Sequence, residues 1–106
     1  MPVHNIQTED EFQRAISEHG LVIVDFFATW DVDSKTLAPI FVEQSNRDDL
    51  QDVVFAKVDV DELAALTGRL GVASTPTFFL YRNGHKAFES VEPGPQGLLQ
   101  FIGEAK

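Results

Sequence analysis

A run of the chain from residue 24 to 39, VDFFATWDVDSKTLAP, places Asp25, Trp30, Asp31, Asp33, Ser34 and Lys35 within eleven residues of one another. Carboxylates at that density suggest three kinds of chemistry. A buried carboxylate beside a second one is a candidate general acid, and Asp25, the one polar residue in an apolar run, has that setting with Asp31. An acidic residue at a helix start meets the partial positive charge of the free N–H groups, and Asp31 is placed to do so. Several aspartates at one end of a sheet can hold calcium or magnesium, and Asp31, Asp33, Asp59 and Asp61 are the candidates, although no loop of EF-hand spacing is present. Each reading has a plainer rival. Asp25 is also readable as a structural polar residue with a satisfied partner, Asp31 as a helix cap and no more, and the acidic set as solvated charge, which leaves no metal site expected. His4, His19 and His85 fall in separate elements without ligand spacing.

Composition limits what else is open. The 106 residues include no cysteine, which removes disulfides, thiolate nucleophiles and thiolate metal sites. A net charge of −9 argues against nucleic acid and against anionic membrane surfaces as partners. The length is that of one domain, residues 1–106, able to bury a core without a metal or cofactor. The N-terminal stretch MPVHNIQTEDEF lacks an apolar segment of signal-peptide length, so a soluble, cytoplasmic protein is the expectation.

The elements that would hold these residues follow from periodicity and punctuation. Val3 to Ile6 is a short strand. Thr8 opens a capping box with Glu11, and Phe12, Ala15 and Ile16 make the inner stripe of a helix stopped by His19-Gly20. Leu21 to Ala28 is a near-continuous apolar run, the mark of a strand covered on both faces. A helix from Asp31 or Ser34 to Asn46 turns Leu37, Ile40 and Phe41 inward, with Pro39 predicting a kink. Val53 to Val58 is a further central strand, ending in the turn Asp59-Val60-Asp61. Leu63, Leu66 and Leu70 line a short third helix that stops near Gly71. Thr77 to Tyr81 and Lys86 to Val91 form a hairpin about Asn83-Gly84. A last helix starts near Pro95, with Leu98, Leu99 and Ile102 inward. Helix-bearing crossovers predict parallel pairing among the first three strands, and the hairpin adds antiparallel ones.

Four segments together, VDFFATW, K-x-LAP, FAKVDVDE and STPTFFLYRNG, make the chain resemble the thioredoxin family over essentially its whole length. The resemblance implies an α/β fold: a three-layer α/β/α sandwich with a central mixed five-stranded sheet and four helices. It implies that Pro76 is cis and sits beside the helix start, which an X-Pro bond permits at low cost. It also implies that Trp30, Val72, Ala73, Thr75 and Pro76 form a surface that receives extended peptide from partner proteins, the alternative being that Trp30 simply packs on the sheet edge. Relatives can dimerise through the tryptophan face, which here corresponds to Trp30, Val60, Asp61 and Val72, so a monomer or a weak non-covalent homodimer is expected.

The departure falls on the family's defining feature. Where the family has Trp-Cys-Gly-Pro-Cys-Lys, this chain has Trp30-Asp31-Val32-Asp33-Ser34-Lys35. Asp31 and Ser34 thus stand at the two thiol positions, with Asp25 and Lys57 at the former proton-transfer positions. Glu92 falls near a place where the family usually has a groove-lining glycine. Disulfide exchange needs a thiolate to attack sulfur and a second thiol to release the product. The expectation is therefore a redox-inactive protein that binds protein or peptide segments at the former active-site surface. The alternatives are a non-redox enzyme built on Asp25 and Asp31, or an engineered or reconstructed scaffold. Asp31 in that setting is either a permanent imitation of a thiolate's charge or only a cap.

Overall fold

A computed structural model describes residues 3–106; Met1 and Pro2, part of the single-domain expectation, lie outside the described residues. The apolar run after Gly20 becomes β2 (Leu21–Phe27), in which Val22 to Phe26 are buried without interruption. Such a strand needs neighbours on both edges and helices on both faces, and it has them. β2 pairs in parallel with β3 (Val54–Asp59) and antiparallel with β4 (Thr77–Arg82). β1 (His4–Ile6) adds in parallel to the outer edge of β3, and β5 (His85–Val91) runs antiparallel along β4. The sheet order is β1-β3-β2-β4-β5, with the mixed directions that the connections predict.

Helices cover both faces. α1 (Glu9–Glu18) starts with the expected capping box: Thr8 Oγ1 accepts from the Glu11 N–H, and the Glu11 carboxylate accepts from the Thr8 N–H, both at 3.1 Å. Its Phe12 and the Leu66 of α3 (Ala64–Arg69) pack with Val22, Val24 and Phe26 on one face. α2 (Val32–Ser45) and α4 (Pro95–Gly103) cover the other face, where Leu37, Phe41, Leu98, Phe101 and Ile102 meet Ile23, Phe55, Phe78 and Leu80. Each fully buried side chain of this size contributes about 1.5–3 kcal/mol by leaving water. The arrangement is the three-layer sandwich.

β1 starts one residue later than expected and β2 ends one residue earlier, and three further details differ. Leu99 is not an inward residue: it is 39% exposed, because Leu98, Phe101 and Ile102 already make the i, i+3, i+4 stripe and Leu99 points about 100° away from it. A 3-10 turn (Asp48–Leu50) precedes β3 and buries Leu50, so the strand begins at Val54 rather than Val53. The hairpin extends one residue further on each side, to Arg82 and His85, around Asn83 and Gly84 with φ of +53° and +82°; this is the doubly left-handed turn that Asn-Gly favours.

Candidate functional site

β2 delivers the chain through Ala28 and Thr29 to the start of α2. Asp31 is the N-cap: its Oδ2 accepts from the Ser34 backbone N–H at 3.1 Å and from the Ser34 hydroxyl at 3.0 Å. Ser34, 4% exposed, in turn accepts from the Ala28 N–H at 3.3 Å. The residues at the two thiol positions are therefore joined directly. The Thr75 hydroxyl also donates to Asp31 Oδ2, at 3.1 Å, which ties the loop before β4 to the helix start. Partial desolvation raises the carboxyl's pKa, but donors from Ser34, Thr75 and the Asp33 backbone outweigh it, and the net direction is downward. Asp31 is thus a cap, and it carries a full negative charge at neutral pH.

The Thr75-Pro76 bond is cis. Pro76 is buried, and its carbonyl accepts from the Glu92 N–H at 2.8 Å. Glu92 has φ of +49°, the left-handed region that glycine occupies without cost. The backbone N–H and C=O of Thr75 have no partner among the described residues.

Trp30 is 67% exposed, and its indole Nε1 donates to Asp61 Oδ2 at 2.8 Å. Asp61 is held there by the turn after β3, where Asp59 accepts from the N–H groups of Asp61 and Glu62 at 2.9 and 3.3 Å. Between tryptophan and loop lies a groove of about 370 Å³ lined by Trp30, Asp31, Val60, Val72, Ala73, Ser74 and Thr75. Of the surface residues expected from the sequence, Trp30, Val72, Ala73 and Thr75 meet here, with Pro76 outside its lining. Ser74, and the role of Asp61 as the indole's anchor, were missed by sequence reasoning. The contact joins residues 31 apart, with only the acidic turn itself as a signal.

Asp25 lies elsewhere. In the register of the sheet it stands opposite Lys57 on β3 and Phe78 on β4, 4% exposed, with Oδ1 lacking a hydrogen-bond partner among the described residues. Burial pushes its carboxyl up to about 7, against the pull of the Lys57 ammonium. A cavity of about 250 Å³ adjoins it, lined also by Ser34, Lys35, Ala38 and Lys57. Asp25 and Asp31 line separate cavities, and Ser34, which lines that of Asp25, bonds Asp31. Three of the four acidic candidates are engaged by separate partners: Asp31 serves α2, Asp59 its own turn, and Asp61 the indole. Among the described residues no three His, Asp or Glu side chains gather as a metal site.

Helices on both faces of a mixed sheet, a cis-proline loop beside a helix start and an exposed tryptophan before that helix define a class of protein. Comparison with known proteins agrees. The Thioredoxin family model matches residues 3–104. Thioredoxin-1 of Schizosaccharomyces pombe is 42% identical over 96 residues, 91% of each chain. Thioredoxin of Ictalurus punctatus is 40% identical over the whole of both chains. A solved structure of Plasmodium falciparum thioredoxin superposes with a TM-score of 0.92 at 36% identity, covering 98% of this chain and all of that one. The chain belongs to the thioredoxin family. It does so without a single cysteine.

Proposed function

We propose that this protein carries out no thiol–disulfide exchange and acts by non-covalent binding of extended protein segments in the groove beside Trp30. The absence of sulfur supports the first half. A carboxylate has no comparable affinity for a disulfide sulfur, and a serine hydroxyl stays protonated at neutral pH, so neither Asp31 nor Ser34 replaces a thiolate. The groove supports the second half and is the observation that carries it. An aromatic anchor pinned at its edge, apolar walls from Val60, Val72 and Ala73, and unpaired backbone groups at Thr75 are what an extended chain needs for side-chain burial and strand-like hydrogen bonding.

Two assays test the two halves. Insulin reduction in dithiothreitol should run at the background rate with the purified chain present; repeated turnover above it would end the redox-inactive reading. On an array of immobilised synthetic peptides the protein should be retained by a subset, and Trp30→Ala should weaken that retention by about tenfold or more, as loss of an aromatic anchor does. Retention that is absent, or indifferent to Trp30→Ala, would remove the binding half.

A further inference from the structure

The walls of the groove are apolar, but its charge is one-sided. Asp31 lines it and Asp61 holds its indole, and Glu92 follows the strand end hydrogen-bonded to Pro76. Among the described residues no Lys or Arg is ion-paired with them. Of the eight Lys and Arg residues, Arg14, Arg47, Arg69, Lys86 and Lys106 are ion-paired on other parts of the surface. Arg82 sits over Phe88 and bonds the Glu104 carbonyl, while Lys35 and Lys57 line the separate cavity of Asp25. The donors at Asp31 Oδ2 are hydroxyls and an N–H, which hold the carboxylate in place without cancelling its charge. The Trp30 indole, fixed through Nε1 and otherwise largely open, offers its π face to a cation.

The geometry points to a specific occupant: an extended protein segment in which an apolar residue is followed closely by arginine or lysine, the cation lying between the Asp31 and Asp61 carboxylates over Trp30. This rests on the peptide-binding reading above and adds its selectivity. A second copy of the chain fits worse. A two-fold contact through this face would set Asp31 and Asp61 against themselves or each other, on a molecule of net charge −9. A basic segment instead gains from the protein's field as it approaches.

Trp30 is the only tryptophan, so its emission reports the groove. Three capped peptides, Val-Ala-Xaa-Val-Ala-Ser with Arg, Gln or Glu at Xaa, are titrated at low ionic strength. The arginine peptide should bind about tenfold tighter than the glutamine peptide, with no saturable change from the glutamate peptide, and about 1 M salt should erase the difference. Asp31→Asn/Asp61→Asn keeps a helix cap and an indole acceptor and should reduce the preference to about threefold or less. The control Asp10→Asn/Asp48→Asn, equal in charge but remote, should retain it. Equal binding of all three peptides overturns the charge selectivity and leaves peptide binding standing. A preference that survives in the groove variant overturns the site. No change with any peptide removes both readings. An emission shift that follows protein concentration alone, with dimer in sedimentation, gives the groove to a second copy and overturns the proposal.

Discussion

At the residue scale, Asp25 and Glu92 are both held in settings that cost stability. Asp25 sits in a dry strand with its carboxyl raised to about 7 by burial and only partly relieved by Lys57. Between the ordinary carboxylate value and about 7 the folded chain binds a proton that the unfolded chain has already released, so stability falls as pH rises through this window. A shift from 3.8 to about 7 corresponds to a penalty on the order of 4 kcal/mol above the window. Asp25→Asn should flatten that slope and raise stability at pH 8 by about 1–3 kcal/mol, less than the full penalty because a buried amide also lacks a partner here. Urea unfolding of both proteins at pH 5 and pH 8 measures it, and equal slopes would show that Asp25 is not a buried charge. Glu92 carries a left-handed backbone that costs a side-chain residue about 1–2 kcal/mol, partly offset by the greater unfolded freedom of glycine. Glu92→Gly keeps the N–H bond to Pro76 and should raise stability by about 0.5–1 kcal/mol, seen as a higher urea midpoint at unchanged slope.

At the scale of elements, the start of α2 is the informative one. Asp31 Oδ2 and Ser34 Oγ lie 3.0 Å apart at positions i and i+3, above the free N–H groups of a fourteen-residue helix. A thiol pair placed there meets both the proximity a disulfide needs and the field that favours a thiolate. Asp31→Cys/Ser34→Cys should therefore form an intramolecular disulfide under mild oxidation, and in reduced form Cys at the first position should titrate below the free-thiol value of about 8.5. Iodoacetamide reactivity against pH reads this; a rate that half-rises at or above that value would mean the helix start no longer favours an anion. The elements themselves were legible because each carries a local signature: the capping box of Thr8 and Glu11, the unbroken apolar run of β2, and the Asn83-Gly84 turn. What was illegible has no local signature. Three residues of 3-10 turn show no period, and Leu99 looks identical to Leu98 until neighbours decide which way the helix rolls. The bonds that build the groove, Thr75 to Asp31 and Trp30 to Asp61, span 44 and 31 residues and arise only from the sheet order. Periodicity and the family resemblance led to a mixed five-stranded sheet, but which strand lies beside which was legible only in the structure.

For the whole molecule the governing quantity is charge against size. A net −9 is spread over a body of 33 × 29 × 22 Å. The screening length is about 30 Å at 0.01 M salt and about 8 Å at 0.15 M, so carboxylates on opposite sides repel one another in the first condition and hardly do so in the second. Salt should therefore raise the melting temperature of this protein, and acidification from pH 8 should do the same by removing charge. The buried Asp25 adds to the second effect, but its cost is mostly desolvation, which salt does not reach. The two contributions separate in one experiment. In about 0.5 M sodium chloride the pH dependence of Asp25→Asn should become shallow, while the wild-type chain keeps a slope between pH 5 and pH 8. Histidines and surface carboxylates are common to both proteins, so the difference between the curves belongs to Asp25 alone. If the two curves run parallel in high salt, surface repulsion carries the whole pH response, and burial at β2 places no charged group under strain.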